Sequence, residues 1–166
     1  SGTKNVQGEL KVAKLASVKL GLNISNFDLF KMVTTNPGDA LERSWKKKTG
    51  RIVEGALADI TVVRANNTIT SNDGVWRHLV GSTETDIALV IVGGIGRYGD
   101  ATLMQKQNVP SAKLKLKGKN FRFAIPNPQN PQNAWEFAEI KGLLNTVIAN
   151  PKEAITKAEG RMRAYA

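Results

Sequence analysis

Any catalysis in this chain would have to be built from one histidine, His78, fourteen Asp and Glu, and no cysteine. A catalytic zinc takes three protein ligands and a structural zinc four, drawn from His, Cys and carboxylates. That inventory argues against a self-contained zinc site, and the missing cysteine removes thiolate nucleophiles and disulfides as well. His78 follows Trp76-Arg77, a setting that favours a partly buried, hydrogen-bonded structural histidine over a catalytic one. The carboxylate pairs Glu84 with Asp86 and Asp39 with Glu42 lack a calcium-loop pattern and read as solvated surface. No Gly-x-Ser-x-Gly elbow is present, and Gly81-Ser82 lacks the strand-to-helix context a nucleophilic serine needs.

Two further patterns have a chemical reading. Gly94-Ile95-Gly96-Arg97-Tyr98-Gly99 matches the dinucleotide-binding glycine spacing directly after an apolar run. After Gly99 come a short segment, Pro110 and a lysine-rich strand, where a cofactor site needs a helix and an acid about 20 positions on. A Gly93-Gly94 hairpin explains these glycines without a ligand. Lys113, Lys115, Lys117 and Lys119, with Lys46-Lys47-Lys48, could form a phosphate-binding face beside Phe121 or Phe123. The competing reading, edge-strand protection by lysine, is the favoured one, so nucleic acid is not the expected partner. A stand-alone basic nucleic-acid-binding module stays open as the alternative function.

These residues must be positioned by a chain of 166 residues with 41% apolar content, enough for one ordinary core. Its net charge of +10 attracts anionic surfaces without specifying a partner. No stretch approaches the roughly 18 apolar residues of a membrane span, so a cytoplasmic protein with no membrane partner is expected.

Val6 to Leu20 predicts an amphipathic helix with Val6, Leu10, Ala13 and Val18 inward, Leu15, Ala16 and Leu20 widening that face, and Lys4, Lys11 and Lys14 outward. Gly21 suits its C-cap, and Ser25-Asn26 caps a second helix carrying Leu29, Phe30, Met32 and Val33 inward, stopped by Asn36-Pro37. Pro37 can open a further turn over 38–44. From Arg51 the period changes to two: Arg51-Ile52-Val53 and Ala58 to Val63 predict strands around a turn at Glu54-Gly55. Asn66-Asn67 and Ser71 to Gly74 read as turns, and Ile87 to Val92 as a buried strand returning through Gly93-Gly94 to Ile95–Tyr98. Lys113 to Lys117 alternates, and the phase flips around Gly118 before Phe121 to Ile125, which a bulge or turn would reconcile. Pro126 to Pro131 reads as an extended loop, with helices over 134–149 and 152–163 divided by Asn150-Pro151. The plan is α+β.

An ordered set of phrases carries a resemblance: Val33-Thr34-Thr35-Asn36-Pro37, then 49–63 with Gly50, Gly55 and Ala58-Asp59, then Val90 to Gly94, then Tyr98-Gly99-Asp100. Together they resemble the carboxy-terminal end of the metal-dependent amidohydrolase superfamily. The match covers about two thirds of the chain, to Met104, and its specificity lies in the order and spacing of the phrases. One departure is Gly38, where the family usually has alanine, read here as a local loss of helix propensity with no chemical effect.

The resemblance implies a fold: the last helices of a (β/α)8 barrel over 1–48, part of a composite β-sandwich domain over 49–125, and a C-terminal helical segment over 126–166. It places Ser1, Lys4 and Asn5 in the loop after the eighth barrel strand, as candidate substrate-loop residues. Asn36, Pro37, Gly55, Asp59, Gly93 and Gly94 become structural motif positions, with Asp59 satisfying backbone groups at a strand start. The complete enzyme would hydrolyse the C–N bond of an amide, cyclic amide or amidine with zinc or another divalent metal. Its metal ligands belong upstream. No catalytic residue, metal ligand or cofactor is therefore assigned to this chain, which is expected to be scaffold and inactive alone. Its expected partners are the amino-terminal barrel portion and further copies of itself.

Overall fold

The computed structural model describes residues 5–65, 69–127, 130–153 and 155–156. The order of elements is α1 Val6–Lys19, α2 Asn26–Val33, α3 Thr35–Trp45, β1 Ile60–Val63, α4 Asn72–Gly81, β2 Ile87–Val92 and β3 Ile95–Asp100. Next come α5 Ala101–Gln105, β4 Ala112–Leu116, β5 Lys119–Phe123, β6 Pro126–Asn127, β7 Asn130–Ala134 and α6 Phe137–Ala149. β1 to β5 form one antiparallel sheet in the order β1-β2-β3-β5-β4, and β6 and β7 form a separate two-stranded ribbon. The fold is α+β.

Side-chain oxygens start the first two helices, the second as its capping signal predicts and the first without one having been expected. Asn5 accepts from Gly8 N–H at 2.8 Å, and Ser25 accepts from Asp28 N–H at 3.0 Å. Gly21 ends α1 at φ +67°. Leu10, Leu29 and Val80 make a helical core, with Ala13 and Ile24 packed against it. The buried stripe of α1 is thus Leu10, Ala13 and Ser17. Val6, Leu15, Val18 and Leu20, expected inward, are more than half exposed, while Lys14, expected outward, donates from Nζ to Ile24 O at 3.1 Å. Met32, another expected core residue, is also half exposed.

α4 is a correction to the sequence reading. Ser71 is its N-cap, accepting from Gly74 N–H at 3.1 Å, where only a turn was expected. Trp76 on α4 lies 4.8 Å from Phe27 and 5.0 Å from Phe30 between ring centroids, joining α4 to the first helices. The region 49–125 therefore carries two helices as well as strands. Arg51-Ile52-Val53 is not a strand: this stretch has no neighbour to pair with, and only an isolated bridge joins Lys48 to Ala56. Ile52 is 86% exposed. Within 126–131, expected to be an extended loop, Pro126–Asn127 and the start of Asn130–Ala134 pair instead as the β6–β7 ribbon, and the helix expected from Ala134 begins at Phe137. Residues 152–153 and 155–156 are helical, and 157–163 of the last expected helix lie outside the described residues.

Strict alternation holds in the β4–β5 hairpin, whereas the β1–β2 and β2–β3 pairs each carry a register shift. Gly93 and Gly94 (φ +57° and +81°) turn β2 into β3, and Lys117 and Gly118 (φ +47° and +79°) turn β4 into β5. The second turn sets Leu114 opposite Phe121 and Ala112 opposite Phe123, so both apolar sets share one face. On the other face Leu89, Met104 and Ala124 form a second core with Ile91 and Val109.

Candidate functional site

The phrases that carry the resemblance are far apart in sequence and meet in space. Pro37 sits in the first turn of α3, where a missing N–H breaks no intrahelical bond, with Asn36 before it. One residue on, Gly38 lies against the backbone of the following loop: a Cβ there would stand 2.5 Å from Thr49 O and 3.2 Å from the Gly50 Cα. Gly50 is likewise pressed against Thr34 O, at φ +73°. The pair lets α3 and the 49–50 loop touch backbone to backbone. Gly38 is thus a packing requirement, which corrects its reading as a weakened helix position. Arg51 adds an ion pair to Asp39 at 2.5 Å.

The chain then returns by Leu57 N–H donating to Lys48 O at 2.8 Å and a left-handed turn at Gly55 (φ +77°). Asp59 Oδ1 accepts from Gly93 N–H at 2.7 Å, while Gly94 N–H donates to Ala58 O at 3.0 Å. The aspartate clasps the β2–β3 hairpin, which is a backbone-satisfying role across 34 positions of sequence. Asn5, a candidate substrate-loop residue, caps α1 with its side chain; Ser1 and Lys4 lie outside the described residues.

A polar cluster that the sequence reading missed centres on Arg64. Its guanidinium donates to Thr85 O at 3.1 Å and to Asp100 Oδ2 at 2.7 Å, and its carbon lies 6.0 Å from the Phe121 ring centroid. Asp100 Oδ1 in turn accepts from Thr102 N–H at 2.9 Å, capping α5. One side chain so joins the end of β1, the turn before β2 and the end of β3. The signal was present in Tyr98-Gly99-Asp100, an acid at a strand end, but its basic partner is 36 positions away. Beside it Thr83 donates from both N–H (2.8 Å) and hydroxyl (2.9 Å) to Asp86 Oδ2. These bonds hold the Asp86 carboxyl below its ordinary value. Burial pushes the Tyr98 phenol up, and its ring stacks on Phe121 at 5.3 Å.

The described residues do not fit the divalent metal that the resemblance implies for the complete enzyme. His78 Nε2 lies 2.6 Å from Arg64 O, so this nitrogen is committed to a backbone carbonyl. No group of three or more His, Asp or Glu among the described residues is arranged to hold an ion. The Gly94-x-Gly96-x-x-Gly99 pattern lies in the hairpin and β3, and no helix opens at Gly96. Among the described residues no helix is long and apolar enough to cross a membrane.

The chain is 32% identical over 94 residues to a 5′-deoxyadenosine deaminase from Methanococcus aeolicus. The aligned part is 54% of this chain and 21% of the deaminase, so the chain spans about a fifth of that relative's length. No family model and no solved structure matches.

Proposed function

We propose that this chain is the carboxy-terminal scaffold of an amidohydrolase that breaks C–N bonds, and that the reacting groups are supplied by a barrel upstream of Ser1. The similarity to a deaminase, whose name describes loss of an amino group, carries the reading. It is supported by the meeting of the Gly38–Gly50 contact and the Asp59–Gly93 clasp, which unite the phrases of the resemblance in one structural unit. In this reading α1 to α3 are the last barrel helices and β1 to β5 part of the flanking β domain. The outward face of α1, with Val12 and Leu15 at 51% and 71% exposure, then packs on the barrel. An amidine carbon bearing an amino group, as in an aminopurine nucleoside, is the substrate class nearest the relative's name.

Ammonia release tests the proposal. The product of the complete gene should liberate ammonia from 5′-deoxyadenosine or a related aminopurine nucleoside, and the 166-residue chain alone should not. Turnover by the chain alone, or an upstream partner with no hydrolytic activity on any C–N substrate, would overturn it.

A further inference from the structure

We propose that the groove between α5 and the β5–β4 strand pair binds the phosphate groups of an anionic ligand. In the antiparallel register Lys113 stands opposite Arg122 and Lys115 opposite Asn120, so these side chains share one face of the sheet. Arg122 also stands opposite Gly99, and Gly99 opposite Leu89, which places them on the face that Met104 of α5 covers further along. A groove of about 520 Å³ opens there; its polar lining is Gln105 of α5 with Lys113, Lys115, Asn120 and Arg122, and Leu114 and Phe121 add apolar surface.

The charge around this groove is one-sided. Between Ile95 and Ile125 the sequence has seven Lys and Arg against a single acid, Asp100. Asp100 is committed to Arg64. Lys113 and Lys115 are exposed and have no ion-pair partner among the described residues. Arg122 is held by Ser111, whose hydroxyl accepts from Nε at 2.9 Å and whose carbonyl accepts from the guanidinium edge.

Edge protection accounts for lysines on β4, the outermost strand, but not for an arginine on β5, which has a neighbour on each side. The polar groups of the lining are cations and neutral amides with no carboxylate, which excludes a metal cation and suits phosphate oxygens, while the apolar lining suits the uncharged part of a phosphorylated ligand. Lys113 and Lys115 are about 7 Å apart along the strand, spaced for a ligand with more than one phosphate.

Two probes test the site in the 166-residue chain: tripolyphosphate by calorimetry, and a short fluorescent single-stranded oligonucleotide by anisotropy. Saturable binding at low salt, weakening as salt rises, is expected for at least one. Lys113→Glu and Lys115→Glu should each lower affinity by about tenfold, and Lys19→Glu, the same charge change on α1 outside the groove, by less than about twofold. Tripolyphosphate binding identifies a small phosphorylated ligand, and oligonucleotide binding alone a phosphodiester run. No saturable binding of either probe, or an equal loss from Lys19→Glu, would overturn the proposal. All three lysines are exposed, and unchanged circular dichroism confirms that each variant folds.

Discussion

At the scale of single residues, Gly38 sets two physical effects against each other. Propensity alone makes Gly→Ala inside a helix stabilising by about 0.5–1 kcal/mol. The close approach of Thr49 O and Gly50 reverses the sign, because an added methyl must push backbone apart, at about 1–3 kcal/mol. Gly38→Ala should therefore lower the melting temperature; a rise would mean that propensity wins and the contact is slack. Asp86 gives a pH signature. Its folded pKa is depressed, so its contribution to stability is complete above the ordinary aspartate value of 3.8 and fades as pH falls through the folded value. The stability difference between the native chain and Asp86→Asn should thus shrink on acidification below that point. A difference that stays constant from neutral pH into that window would show that the Asp86 carboxylate contributes nothing. The effect is modest, because the carboxylate remains solvent-screened.

At the scale of elements, Arg64 decides how β1 is joined to the rest of the sheet. Arg64→Lys keeps the charge and loses the planar fork that reaches both Thr85 O and Asp100. It should cost about 1–2 kcal/mol in chemical denaturation, and no measurable loss would make the cluster ornamental. Such long-range partners were the part of the molecule the sequence hid. Local signals worked where the physics is local: Ser25 as a cap, Gly21 as a helix end, and Gly93-Gly94 as a hairpin. The phase flip at Gly118 was readable because side-chain direction alternates strictly along a strand. α4 was hidden because Ser71 to Gly74 has turn composition, and the same residues begin a helix only because Trp76 and Val80 find partners on α1 and α2. Arg51-Ile52-Val53 failed in the opposite sense, with strand composition and no strand beside it to pair with. Of the candidate site residues, Asp59 was expected to serve backbone at its own strand start, and its partner in the structure, Gly93 N–H, lies 34 positions away in the β2–β3 hairpin. The groove face was legible as a lysine stripe, but its extension to Arg122 and α5 needed the register.

At the scale of the whole molecule, two helices carry apolar side chains that the described residues leave uncovered. Leu15 and Leu20 on and after α1 are 71% and 68% exposed, and α6 buries none of its residues while exposing Leu144 and Ile148. A 13-residue helix is marginal in water without packing, so α6 is expected to be stabilised by a further surface. The isolated chain should bind a hydrophobic dye and self-associate with rising concentration, and co-expression with the upstream portion should suppress both. A strictly monomeric species that binds no dye would contradict the reading of these faces as interfaces. The central claim, that the chain is scaffold for chemistry encoded upstream, is tested most directly by the nucleotide sequence preceding the codon for Ser1. The prediction is an in-frame barrel whose first strand carries a His-x-His pair. A reading frame with no such barrel would contradict it.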